Sequence, residues 1–146
     1  MTTTRRTALG GLATALALFA GGMPSFAQEK VTLDVLYNLP GFTKFHQPLA
    51  DQFMKNHPDV TINFLAPATG YNEGQQQVLR AAVTGNLPDV YFSGYNLTAE
   101  LVHTLEPRGQ ITDLGPFIER EGGQAFLDKN YSPKMAALGQ IDGKQY

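Results

Sequence analysis

The sequence contains no cysteine. That excludes a disulfide framework, thiolate zinc sites, iron–sulfur clusters and a cysteine nucleophile. It also leaves no N-terminal cysteine to carry a lipid anchor. Charge is scarce as well: 16% of the residues are charged and the formal net charge is −2. A chain so balanced has no electrostatic reason to bind nucleic acid or an anionic membrane. There is no phosphate-binding loop, no Gly-x-Gly-x-x-Gly and no Gly-x-Ser-x-Gly elbow, so the common nucleotide and hydrolase signatures are missing. His46, His57 and His103 are scattered, without the i, i+4 spacing of a helical zinc pair. No catalytic residue, metal ligand or cofactor is expected from these spacings. What is present is a globular composition of 146 residues, 42% of them apolar. It is too apolar and too weakly charged for a disordered chain.

The first residues read as a targeting signal. Arg5 and Arg6 form a positive head, and the stretch from Ala8 to Ala20 is uncharged and rich in Ala, Leu and Gly. Met23-Pro24 breaks it, and Ser25-Phe26-Ala27 offers small residues where a signal peptidase reads them. A membrane span needs ~20 apolar residues, and the glycines at 10, 11, 21 and 22 dilute this stretch. Residues 1–27 are therefore expected to be a cleaved signal peptide. The arginine pair resembles a twin-arginine signal but departs from it at Ala8 and Gly10. Both the twin-arginine and the general secretory routes stay open.

The remainder alternates strand and helix. Val31–Tyr37, Val60–Leu65 and Asp89–Ser93 are rich in β-branched and apolar residues and read as strands. Phe42, Phe45, Leu49 and Phe53 recur at helical spacing and predict one buried face. Pro48 inside that pattern predicts a late start or a kink. A second helix is expected over Tyr71–Thr84, with Asn72 and Gln75 at capping-box spacing. Its buried face is read as Val78, Leu79, Ala82 and Val83, and Gly85 as its C-terminal cap. Asn96 is placed to cap a third helix running to Leu105. Asp113 and Pro116 open a short helical turn, and Ser132-Pro133 opens another. Asp142-Gly143 predicts a tight hairpin near the end. This order implies an α/β fold with a mostly parallel sheet flanked by helices.

Ligands of open α/β sheets bind beyond the carboxyl ends of the strands. Three loops occupy that position: Tyr37–Gly41, Ala66–Asn72 and Ser93–Asn96. Each joins an aromatic ring to an amide. A tyrosine face packs on the C–H face of a sugar, and a neighbouring asparagine satisfies its hydroxyls. The candidate solute-binding residues are Tyr37, Asn38, Tyr71, Tyr95 and Asn96. Asn38, Asn72 and Asn96 are also credible as turn or cap residues, and Tyr71 and Tyr95 as packing residues. Asp89 begins its strand at the opposite end and reads as solvated or as a structural hydrogen-bond partner.

The order of parts resembles a known family. A secretory signal precedes a strand and a helix ending Phe53-Met-Lys-Asn-His-Pro58-Asp-Val60. Then come Gly70-Tyr71-Asn72-Glu73, a helix closing on Thr84-Gly85-Asn86-Leu87-Pro88-Asp89-Val90, and the terminal Gly143-Lys144-Gln145-Tyr146. Together these resemble the start of the family 1 extracellular solute-binding proteins of bacterial ABC importers, the carbohydrate and glycerol-phosphate binders related to maltose-binding protein. The resemblance implies two α/β lobes that close on a solute. It implies that residues 28–146 are part of the N-terminal lobe, with the second lobe absent from this chain. It further implies a periplasmic protein, monomeric at full length, that captures a sugar, oligosaccharide or glycerol phosphate without chemistry. ABC permease transmembrane subunits are its expected partners. In the glycerol-phosphate branch a tyrosine precedes the second helix and an acid follows the third strand. Tyr71 matches the first, and Tyr95 stands where the acid would be. A secreted α/β hydrolase with its catalytic residues elsewhere and a ferric-ion binder using Tyr, His and carboxylate ligands are the alternatives. Apolar surface made to face the missing strands predicts marginal stability for residues 28–146 alone.

Overall fold

The computed structural model describes residues 30–146. The predicted signal at 1–27 lies outside the described residues. Among these residues five strands and six α-helices follow in order: β1 (Val31–Leu36), α1 (Thr43–Asn56), β2 (Val60–Phe64), α2 (Tyr71–Thr84), β3 (Val90–Tyr91), α3 (Thr98–Leu105), α4 (Gly115–Glu121), α5 (Gln124–Asn130), α6 (Pro133–Leu138), β4 (Gln140–Ile141) and β5 (Lys144–Gln145). The first three strands form a parallel sheet in the order β2-β1-β3. Val31 stands opposite Val60 and Val35 opposite Phe64, while on the other side Val35 stands opposite Val90. The α/β lobe expected from the strand–helix alternation is the fold observed.

Side chains alternate across β1, so its two faces serve different helices. Leu36 joins Val78 and Ala82 of α2 and Leu101 and Leu105 of α3 in one core. Each fully buried leucine there contributes about 1.5–3 kcal/mol. Tyr37 points the other way, to a ring cluster with His46 of α1 and Phe64 of β2. Phe92 closes on the same imidazole at 4.9 Å.

Helix α1 corrects the predicted face. Phe45, Leu49 and Phe53 are 42%, 68% and 42% exposed. The face turned to the sheet is His46, Ala50 and Met54, with Ala50 buried and the Met54 sulfur accepting the Ile62 N–H at 3.2 Å. Two faces share the i, i+4 spacing, and the more apolar one is not the one chosen. The helix also starts early, at Thr43, and carries Pro48 in its interior. Both Lys44 and Pro48 are exposed, so solvent can reach the Lys44 carbonyl that the missing N–H leaves free.

Helix α2 has the expected bounds but a different cap and face. Its N-cap is Gly70, which gives no side-chain bond. The Asn72–Gln75 box does not form: Asn72 is exposed, and Gln75 is buried with its Nε2 donating to Glu100 of α3 at 2.8 Å. Glu73 reaches back instead to the residue before the cap, accepting the Thr69 N–H at 3.0 Å and the Thr69 hydroxyl. Val83 is 77% exposed, and Gly74 and Gln75 take its place in the buried face. Gly85 ends the helix at φ 73°, as predicted.

Strand β3 ends at Tyr91, earlier than expected: the Phe92 N–H still donates to the Leu36 carbonyl of β1, but the Phe92 carbonyl accepts the Asn38 side-chain amide instead of a strand N–H. Asp89 is the structural partner foreseen as one option, its carboxylate accepting the Asp34 N–H at 2.8 Å. Asn96 does not cap α3, whose N-cap is Leu97. Ser132 does cap α6, accepting the Met135 N–H at 3.3 Å. The Asp142-Gly143 hairpin forms with φ of 51° and 79°. It is tied to the α3 region by His103 to Asp142 at 2.9 Å and Lys144 to Glu106 at 2.7 Å. Helix α5 has no counterpart in the sequence reading, its seven residues directly after Gly122-Gly123 being too short to show a period.

Candidate functional site

The three loops at the carboxyl ends of β1, β2 and β3 are bound to one another. Leu39 N–H donates to the Ala68 carbonyl at 2.8 Å and Ala68 N–H to the Tyr37 carbonyl at 3.2 Å. This continues the parallel alignment beyond the strands as a single bridge between Asn38 and Ala68. On the other side Phe92 N–H donates to the Leu36 carbonyl at 3.0 Å. The Asn38 amide donates to the Phe92 carbonyl at 2.6 Å. Leu39 holds φ 65°, in the left-handed region, which non-glycine residues seldom adopt without tertiary support.

Tyr71, at the first position of α2, lies against Gly94. A Cβ placed on Gly94 would stand 3.1 Å from Tyr71 Cγ and 3.2 Å from Asn96 Oδ1. Tyr71 and Asn96 thus both lie beside Gly94, and the glycine permits the close approach. Tyr71 is 40% exposed and Asn96 is exposed. Tyr95 is 73% exposed and turns away. It lines a cavity of about 500 Å³ shared with Phe92, Phe126, Tyr131 and Met135, in which Tyr71 has no part.

Tyr37 and Asn38 sit beneath this surface, each 2% exposed. Tyr37 lies in the ring cluster with its hydroxyl bonded to Thr43, and Asn38 bonds inward to Phe92. Neither offers a face to a solute, because parallel pairing continues past Leu36 and buries the next two residues. Asn72 is exposed and outside this contact.

Electrostatics at the α2 N-terminus are set by Glu73. Its carboxylate is held below its ordinary value by the Thr69 hydroxyl and then the Thr69 N–H. The positive end of the helix dipole thus already faces a carboxylate. Beneath it, burial pushes the Tyr91 hydroxyl above its ordinary value, opposed by the Asn38 amide. The hydroxyl stands 3.5 Å from the Tyr71 carbonyl.

Sequence reasoning missed Gly74, Gly94 and Leu39. Gly74 was detectable as a glycine in a helix interior, a costly placement that points to close packing. Gly94 and Leu39 carried no signal separable from ordinary turn chemistry.

The sequence profile of the bacterial extracellular solute-binding proteins matches residues 38–140. No curated protein matches the chain in sequence. Among solved structures, an ABC substrate-binding protein of Listeria monocytogenes in complex with cycloalternan superposes with TM-score 0.65 at 21% identity, over 81% of this chain and 28% of its own. The galacto-N-biose/lacto-N-biose I-binding protein of Bifidobacterium longum gives 0.62 at 20% identity, over 80% and 27%. The maltose/maltodextrin-binding domain MalE of Bdellovibrio bacteriovorus, bound to maltotriose, gives 0.59 at 18% identity, over 79% and 27%. The chain thus spans little more than a quarter of the length of these structures, and the likeness is one of fold. With the family profile running from the end of β1 into β4, the chain belongs to the bacterial extracellular solute-binding protein family.

Proposed function

We propose that this chain is part of the substrate-binding component of an ABC importer, and that it captures a neutral sugar or oligosaccharide. The observation that carries the reading is the meeting of the Tyr71 ring with Asn96 at Gly94, beyond the carboxyl ends of a parallel sheet. A ring face for the sugar C–H surface and an amide for its hydroxyls stand side by side there. Tyr71 stacks and Asn96 hydrogen-bonds; Tyr95, further out, contacts a longer solute. The relatives solved with cycloalternan, maltotriose and lacto-N-biose support a saccharide. Glu73 in the first turn of α2 disfavours a phosphate, because its carboxylate already sets negative charge at that helix end.

The protein works by capture and closure, with no bond made or broken. Solute bridges two lobes and shifts the population toward the closed form, which is presented to the transmembrane permease. Residues 1–27 act as the cleaved export signal, and the mature protein is a periplasmic monomer. The test uses the complete protein without its signal. Its unfolding temperature is followed against maltotriose, mannotriose, lacto-N-biose, glycerol 3-phosphate and ferric ion. A ligand that binds only the folded state raises that temperature saturably. A shift with a saccharide and no turnover supports the reading; a shift only with glycerol phosphate or iron, or saccharide consumption, refutes it.

A further inference from the structure

Asn38 is 2% exposed, yet half of its amide is unused. Its Nδ2 donates to the Phe92 carbonyl at 2.6 Å and stands 3.5 Å from the Tyr91 hydroxyl. Its Oδ1 has no hydrogen-bond partner and is pressed against Gly74. A buried unsatisfied oxygen is costly. An apolar side chain of the same shape would avoid that cost, so packing alone does not account for an amide here.

Its two neighbours explain it better. Phe92 is the residue at which the chain leaves β3 for the loop carrying Gly94 and Asn96. Gly74 lies one turn into α2, the helix that Tyr71 begins. The Tyr91 hydroxyl spans the same gap, 3.5 Å from Asn38 on one side and 3.5 Å from the Tyr71 carbonyl on the other. The carboxamide is therefore wedged between the two segments whose tips meet at the candidate site. Its donor holds one segment and its oxygen sets the distance to the other.

We propose that Asn38 is a positioning residue for solute binding, fixing the separation of Tyr71 from Gly94 and Asn96 without touching the solute. The inference rests on reading those residues as the solute site. A side chain that keeps the volume but loses the donor releases Phe92, and the loop from 93 to 96 shifts against Tyr71. Small misplacements of a binding constellation have large effects.

The test uses the complete protein without its signal, as wild type, Asn38→Leu and Asn38→Asp. Leucine keeps the branching at Cγ with somewhat more bulk and removes both the donor and the orphaned oxygen, while aspartate is the variant of matching size. Aspartate keeps the shape and sets an oxygen against the Phe92 carbonyl. Calorimetric titration with maltotriose, mannotriose and lacto-N-biose is paired with amide hydrogen exchange of the unliganded proteins. The expected result is an affinity loss of at least about tenfold, with exchange raised only over 69–74 and 92–97. A smaller loss, or exchange raised equally across the lobe, overturns the proposal. If wild type binds none of the three saccharides, the solute reading fails, and exchange alone decides on Asn38: a rise confined to those two segments supports its positioning role, and a uniform or absent rise overturns it.

Discussion

Replacing Gly74 with alanine sets two opposing effects against each other at one carbon. In an ordinary helix interior the change stabilises by about 1 kcal/mol, since glycine loses more backbone entropy on folding. Here the new Cβ collides with Asn38 Oδ1 and stands 2.9 Å from the Tyr91 hydroxyl and 3.1 Å from Asn38 Cγ. Asn38 has no room to retreat, being 2% exposed and bonded to the Phe92 carbonyl at 2.6 Å. Overpacking of this kind costs about 1–3 kcal/mol, and a displaced buried hydrogen bond adds roughly 1 kcal/mol. The clash therefore exceeds the propensity gain, and the variant is destabilised by about 1–3 kcal/mol net. Urea unfolding measures this, with the midpoint falling by about 1 M for a slope near 2 kcal/mol/M. Removing the obstacle is the stronger check. In Asn38→Ala the space opens, so Gly74→Ala made on that background costs at least ~1 kcal/mol less than on wild type. An alanine variant as stable as wild type, or two changes that simply add, would refute the collision.

The remaining predictions concern the core, the helix cap and the site. Leu101→Ala removes a side chain 5% exposed in the shared core and costs about 2–5 kcal/mol by urea unfolding. Val83→Ala, at 77% exposure, changes stability by less than about 0.5 kcal/mol; equal effects at both positions would overturn the assignment of the α2 face. Glu73 has its folded-state pKa lowered from 4.5 by Thr69, so its contribution is present above 4.5 and is lost as pH falls through the lower folded value. Glu73→Gln is therefore expected to flatten the acid side of the stability–pH curve, and an unchanged curve counts against the cap. Tyr71→Ala is expected to weaken saccharide affinity by about tenfold or more, a stacking ring being worth on the order of 1.5 kcal/mol. Calorimetry showing full affinity in that variant would remove Tyr71 from the site.

Much of the architecture was legible because local chemistry dictated it. The β-branched runs at 31–36 and 60–64, Gly85 at φ 73°, Ser132 capping α6 and the Asp142-Gly143 turn all follow from backbone preferences that no distant residue has to confirm. The family resemblance, too, rested on short motifs in order along the chain. Choices among equivalent local options were not legible. Both Phe45-Leu49-Phe53 and His46-Ala50-Met54 have helical spacing, and the sheet takes the second because the His46 ring fits among Tyr37, Phe64 and Phe92. Asn72 and Glu73 could each serve the start of α2, and the geometry of Thr69 selects the carboxylate.

The candidate site divides along the same line. Sequence alone determined which loops lie beyond the carboxyl ends of the three strands, since the ends of parallel strands are fixed by strand–helix order. It also determined that those loops are rich in tyrosine and asparagine. Only the tertiary structure decided which of these residues reach the surface. Pairing that runs past Leu36 buries Tyr37 and Asn38, a glycine at 94 lets Tyr71 and Asn96 meet, and Tyr95 falls on the far side of the loop. These outcomes depend on contacts between segments distant in sequence, such as Asn38 with Phe92, and such contacts leave no periodicity or motif along the chain.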